Sequence, residues 1–254
     1  MPLTRLWRDW RDQRALQRRA VPDALWHETL AALPFVACRP DDQRAELRRL
    51  SSLFLDRKEF TGAGGLVVTD AMAVSVAVQA CLPILALGLQ AYDRFVGIVI
   101  HPDEVVAPRE VTDEDGVVHR YDEVLAGEAM EGGPLVLSWP DVDAAGDAAD
   151  WGYNVVIHEF THVLDQGGGM PQMPDAAHAR AWMSIMETEY EAFRAAVDRG
   201  DDTLLDPYGA EAPEEFFAVA SEAFFVMPLP VRDEHPALYA LFSGYFRQDP
   251  AAYR

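Results

Sequence analysis

Cysteine is almost missing from this 254-residue chain, which has only Cys38 and Cys81. Two thiols cannot build a disulfide framework or a cysteine-rich metal cluster, and the apolar surroundings of both predict ordinary buried thiols. Positive charge is scarce as well: 21 Lys and Arg stand against 42 Asp and Glu, for a net charge of −21. A surface of that sign repels phosphate backbones, which disfavours generic nucleic-acid binding. The cations that exist crowd the N-terminus, at Arg5, Arg8, Arg11, Arg14, Arg18 and Arg19. No apolar segment follows them, so no secretory signal is visible. With Trp7 and Trp10 nearby, residues 1–20 predict a basic amphipathic helix, and Asp9 and Asp12 interrupt its positive face in favour of peripheral packing. Repeats and low-complexity runs are lacking too. What remains is an apolar half and a charged quarter, the composition of a globular protein, expected to be cytoplasmic and to form one domain over residues 1–254. A chain of this length buries a sizeable core unaided, so a metal would serve chemistry rather than folding.

One long run, residues 71–92, carries no charge. It is long enough to span a bilayer. However, Ser75, Gln79 and Gln90 dilute it, Pro83 breaks it, and alanine dominates. These features predict a buried core helix kinked near Pro83 rather than a membrane segment. Residues 22–60 read as helices punctuated by Pro22, Pro34 and Pro40, with Leu47, Leu50, Leu53 and Phe54 at helical spacing. Strands are expected at 95–100, 116–125 and 134–139, separated by Gly127, Gly132 and Gly133. Helices resume from about residue 145 to the end. This order predicts an α+β fold with a small mixed or antiparallel sheet.

Histidine is also sparse, at seven residues, yet two of them form His158-Glu159-Phe160-Thr161-His162, an HExxH. Val156, Ile157, Phe160, Val163 and Leu164 place the motif on a helix that Gly167-Gly168-Gly169 ends. Histidines four residues apart project from one helical face, so both imidazoles reach one ion, and Glu159 reaches a water beside it. Asp165 lies on the same stripe. It is a ligand, a carboxylate that holds a ligating histidine by its far N–H, or an exposed residue of the last turn. A catalytic zinc needs a third protein ligand and an open position. The segment 206–225, DPYGAEAPEEFFAVASEAFF, offers Glu211, Glu214, Glu215 and Glu222 on or near a helix opened by Pro213. Glu215 and Glu222, seven apart, share one side, and spacing alone does not choose between them. His27, His101, His119, His178 and His235 read as surface or core residues, although His178 could border the cleft. The loop-like stretch 166–178 is a surface connection or a flap.

The chain resembles the Mlc titration factor A (MtfA) family of bacterial zinc metallopeptidases. The resemblance rests on CLPILALGLQAYDRFVGIVIHPDEVV at 81–106, GGPLVLSW at 132–139, NVVIHEFTHVLD at 154–165 and the 206–225 segment. It implies a zincin-like, gluzincin-type core similar to the anthrax lethal factor protease domain. It also implies one zinc held by His158, His162 and Glu215, with Glu159 as general base. The tyrosine seven residues before the third ligand falls on Tyr208, as oxyanion donor, and Glu222 becomes a supporting or structural residue. Glu214 departs from the smaller residues usual at its position. The activity implied is aminopeptidase-like hydrolysis of short peptides, by general-base activation of a zinc-bound water. A strand such as Leu135–Trp139 is expected to bind extended peptide at a sheet edge. The rival reading is a regulatory protein that binds the Mlc repressor, with the zinc site regulatory or vestigial. A third reading is a zinc hydrolase acting on a non-peptide bond. No nucleic acid or membrane is expected as a partner.

Overall fold

A computed structural model describes residues 3–103, 105–112, 118–125, 127–129 and 133–253, with the backbone alone for 3–9 and for the strands between 105 and 129. The chain opens with helices α1 (Leu3–Arg19), α2 (Asp23–Ala32), α3 (Pro34–Ala37) and α4 (Asp41–Arg57), then strand β1 (Glu59–Gly62) and helix α5 (Asp70–Cys81). Strands β2 (Gly97–His101), β3 (Val105–Thr112), β4 (Val118–Leu125), β5 (Gly127–Ala129) and β6 (Leu135–Ser138) follow. Helices α6 (Trp139–Asp143), α7 (Ala145–Ala148), α8 (Val155–Leu164), α9 (Ala176–Asp198), α10 (Pro213–Val226), α11 (Pro228–Glu234) and α12 (Pro236–Phe246) complete it.

The fold is α+β and mainly helical. Its sheet runs in the order β1-β2-β6-β5. The first three strands are parallel, and only β5 runs antiparallel to its neighbour. The sheet is therefore mixed with a parallel centre. The antiparallel pairing expected from the sequence appears at the β5 edge and in a separate hairpin, β3 with β4. Three sequence expectations need correction here. The last two residues of the segment taken as helical, Glu59 and Phe60, open the edge strand Glu59–Gly62, whose alternating exposure suits a four-residue edge better than a helix. Gly127 does not separate strands but begins β5, whereas Gly132 and residues 116–117 of the expected strand lie outside the described residues. Leu135–Trp139 is no edge, because β6 pairs with β2 on one side and β5 on the other.

The uncharged run behaves as a core element. Thr69 caps α5 by accepting a hydrogen bond from the Met72 amide at 3.2 Å, and residues 76–82 are buried throughout. The helix ends at Cys81, just before Pro83, and a short 3-10 turn covers Leu89–Tyr92. No helix among the described residues is long and apolar enough to cross a membrane. Cys81 is buried, but Cys38 is exposed at the end of α3, contrary to its apolar context. The N-terminal helix packs on α4, with Ala15 buried and Asp12 bound to Arg57 at 2.7 Å. Asp12 thus faces a partner helix, which explains an acid in a basic stripe.

Two aromatic clusters hold the elements that matter for the site. Phe160 of α8 packs against Phe54, Tyr92 and Phe95, at centroid distances of 5.6, 5.0 and 5.5 Å. Phe224 of α10 packs on Phe242 and Phe246, and Trp182 of α9 stacks on Phe242 at 5.5 Å. Each such pair adds about 0.5–1.5 kcal/mol beyond area burial. From Phe216 to Val226 every residue of α10 is buried, so the helix has little freedom to rotate or slide.

Candidate metal centre

Helix α8 begins at Asn154, whose side-chain oxygen accepts the Ile157 amide at 2.9 Å. From that fixed start, His158 and His162 emerge one turn apart, and their rings lie 4.9 Å apart in a T-shaped arrangement. Helix α10 starts at Pro213 and carries Glu215 in its first turn, where the helix dipole favours a carboxylate. The two helices pack together. His158 Nε2 lies 3.2 Å from His162 Nε2, and Glu215 Oε2 lies 3.1 and 3.3 Å from the two nitrogens. One ligand atom from each of these three residues lies within 4.8 Å of the other two. Glycine is required at position 169 for this meeting of helices. Its φ is +74°, and a Cβ there would come 2.5 Å from the Pro213 carbonyl at the start of α10.

The second nitrogen of His158 is held from behind. Nδ1 lies 2.6 Å from Glu222 Oε1, two turns further along α10. Glu222 Oε2 accepts the Asn154 amide, and Asn154 Nδ2 donates to Gln79 Oε1 at 2.7 Å. Gln79 in turn donates to Ser75 at 3.2 Å. This buried relay orients the imidazole so that Nδ1–H faces Glu222 and the Nε2 lone pair faces the cluster. Glu222→Gln should break it. The carboxylate accepts two N–H groups, whereas an amide turns its own NH₂ toward one of them. The expected outcome is a loss of about 1–3 kcal/mol of stability by chemical denaturation and about 10–100-fold weaker metal binding by competition titration.

The electrostatics fit a site that exchanges protons for a cation. Burial pushes the Glu159 carboxyl up to about 7, against the pull of the His158 and His162 imidazoles. Glu159 is buried, and its Oε2 has no hydrogen-bond partner among the described residues. Burial also raises Glu222, partly offset by His158. For His158 burial opposes the charged form, but Glu222 and Glu215 outweigh it and lift the ring well above 6.5. Glu215 goes the other way: the two histidines overcome burial and hold it below the ordinary carboxylate range. A group with a raised native pKa keeps protons that the unfolded chain releases, so its contribution is lost as pH rises. Glu159, Glu222 and His158 share this sign, while Glu215 titrates below the window. Metal-free protein should therefore lose thermal stability between about pH 5 and pH 8. Bound cation displaces those protons, so its stabilising effect should grow over the same range. Melting curves of chelated and metal-supplemented protein check this, and a chelated protein that gains stability with pH would refute it.

Among the other expected residues, Tyr208 sits in a 3-10 turn, Pro207–Ala210, with its ring 6.0 Å from the His158 ring. Asp206 caps that turn through the Tyr208 amide at 2.9 Å. Glu211 and Glu214 stay outside the three-residue group. Asp165 is not a histidine partner. It leaves the helix and accepts the Gly167 and Gly169 amides at 3.0 and 3.2 Å, shaping the glycine turn, and Glu222 fills the role considered for it. His178 is exposed and bonded to Asp175 at the start of α9. His27, His101 and His235 also lie outside the group, and the side chain of His119 lies outside the described residues. Sequence reasoning missed Asn154 and Gln79. Both left a signal: an Asn directly before an apolar helix, and a glutamine inside an otherwise apolar run.

Two imidazoles and a carboxylate converging from an HExxH helix and a second buried helix define a metallopeptidase-type centre. In agreement, the family model of the glucose-regulated metallo-peptidase M90 (Peptidase_M90) matches residues 7–247, and the chain belongs to this family. A protein of Synechocystis sp. is 36% identical over 253 residues, covering 96% of this chain and 90% of its own. Proteins called Mlc titration factor A are 34% identical in Edwardsiella ictaluri and 31% identical in Escherichia coli. Each of these matches covers 95% of this chain, with 92% and 91% of the respective relative.

Proposed function

We propose that this protein is a zinc-dependent peptidase of the aminopeptidase type, with His158, His162 and Glu215 as the metal ligands. One observation carries this reading. Ligand atoms sharing a tetrahedral zinc at about 2.0–2.1 Å stand roughly 3.3–3.4 Å apart, and the three converging atoms here are separated by 3.1, 3.2 and 3.3 Å. Two imidazoles with one carboxylate form a zinc donor set that leaves a position open. Zinc held there would polarise a scissile carbonyl and make a water acidic near neutral pH.

The chain's own residues supply the rest. Glu159, buried with an unpartnered oxygen beside the ligands, takes the proton of the attacking water and passes it to the leaving amine. Tyr208, against the His158 ring, donates to the developing oxyanion. An extended peptide pairs with β5, the sheet edge packed on α8, rather than with the interior β6. Hydrolysis of an amino-acid p-nitroanilide should vanish with chelator and return with stoichiometric zinc; turnover that ignores the chelator would sink the proposal.

A second reading draws on the name that two of the relatives carry. Mlc titration factor A suggests a protein that engages the Mlc repressor, and a chain 34% identical over most of its length is a candidate for the same contact. A cytoplasmic location suits both readings. Repressor binding without hydrolysis, unaffected by zinc removal, would favour the second alone.

A further inference from the structure

Beyond the metal centre, a groove of about 750 Å³ opens where the C-terminal turn of α8, the start of α9 and the end of α12 meet. It begins at Val163 and Leu164, directly after His162, yet none of His158, Glu159, His162, Glu215 or Tyr208 lines it. Its floor is apolar, with Met173, Leu241 and Tyr245. Gln90, Gln166 and Gln172 add groups that both donate and accept, as an extended backbone requires.

Its charge sets it apart. The chain has 42 acidic residues, but among the described residues no Asp or Glu lines this groove, while Arg94 and Arg247 do. Arg18, Arg44, Arg48, Arg49, Arg57, Arg199 and Arg232 all pair with carboxylates. Arg94 and Arg247 are exposed and have no such partner among the described residues. Two carboxylates close by in sequence are otherwise engaged: Asp175 caps α9 and bonds His178, and Asp249 accepts the Tyr239 hydroxyl. Arg247 is held in the left-handed region at φ 53°, the sole such non-glycine among the described residues, at the end of α12. An apolar trough edged by two guanidinium groups with no carboxylate partner among the described residues, on a molecule of net charge −21, complements a ligand bearing both carboxylates and apolar side chains.

We propose that this groove docks an acidic, apolar-containing peptide segment of another protein, beside the metal centre and separate from it. Arg94 and Arg247 grip the carboxylates, and the Met173–Leu241 floor takes the apolar side chains. This holds whether or not the metal centre hydrolyses peptides, so the two readings fail separately.

The test uses full-length protein and a fluorescein-labelled, end-blocked decapeptide of alternating glutamate and leucine, followed by anisotropy. The expected result is saturable binding that weakens with salt and falls at least about tenfold in Arg94→Glu/Arg247→Glu. Metal content and anilide hydrolysis should not change. The neutral pair Arg94→Gln/Arg247→Asn, with a residue tolerant of the left-handed conformation at 247, should weaken binding about threefold or more and guards against misfolding of the reversed pair. Equal binding by either pair, or by a lysine–leucine peptide, would overturn the proposal. So would displacement of the peptide by a small hydroxamate that occupies the metal centre. Self-association that the arginine variants abolish, without peptide binding, would assign the groove to a second copy of the chain and also refute it.

Discussion

Glu159→Gln is expected to lower kcat/KM for an amino-acid anilide by about 10²–10⁴-fold, the usual worth of a positioned general base, while leaving zinc content near one per chain. The structure separates the two effects. Glu159 sits beside the ligand cluster but is not part of it. Its carboxyl is shielded from solvent and, with no metal beside it, lifted to about 7; a bound cation would favour the carboxylate that a general base requires. Glutamine preserves size, and it replaces a group whose Oε2 lacks a partner among the described residues, so the fold should tolerate it. Metal analysis and steady-state kinetics on one preparation decide the matter. Undiminished turnover would remove Glu159 from the mechanism, and loss of zinc together with activity would mean that it supports the site instead of the reaction.

Glu215→Ala should have an effect of comparable size but of another kind: loss of the metal itself. If roughly 10–16 kcal/mol of zinc affinity is shared among four ligand positions, deleting one carboxylate weakens binding on the order of 10²–10³-fold. Hydrolysis should fall in proportion and recover in part at high zinc concentration. The controls are Glu214→Ala and Glu211→Ala, because neither residue joins the cluster. Competition titration with a chromogenic chelator reads all three variants. If Glu214→Ala lost zinc while Glu215→Ala retained it, α10 would have to be turned by about one residue, which its burial along a whole side against α8, α9 and α12 opposes.

These two expectations differ in how early they can be reached. Glu159, His158 and His162 lie within five consecutive residues, and helical periodicity is a local property. The core likewise announces itself: Leu47, Leu50, Leu53 and Phe54 at helical spacing are all buried, as is most of the helical part of the uncharged run, up to Cys81. The supporting relay was half visible. Ser75 and Gln79 looked like polar dilution of an apolar segment, and they turn out to anchor Asn154, which carries Glu222.

What the amino-acid order determined by itself is whatever follows from neighbours along the chain: the HExxH pair on one face, the capped helices and the apolar stripes. The tertiary structure alone decided how residues far apart meet. Glu215 and Glu222 share a helix face at a spacing of seven, and only the packing of α10 on α8 aims the first at Nε2 and the second at Nδ1 of His158. Likewise, strand order made β6 interior and β5 an edge, and the glycine turn claimed Asp165 for backbone amides. Periodicity fixes a direction around one element's axis. It carries no information on the distance or rotation between two elements, which side-chain packing over the whole core sets.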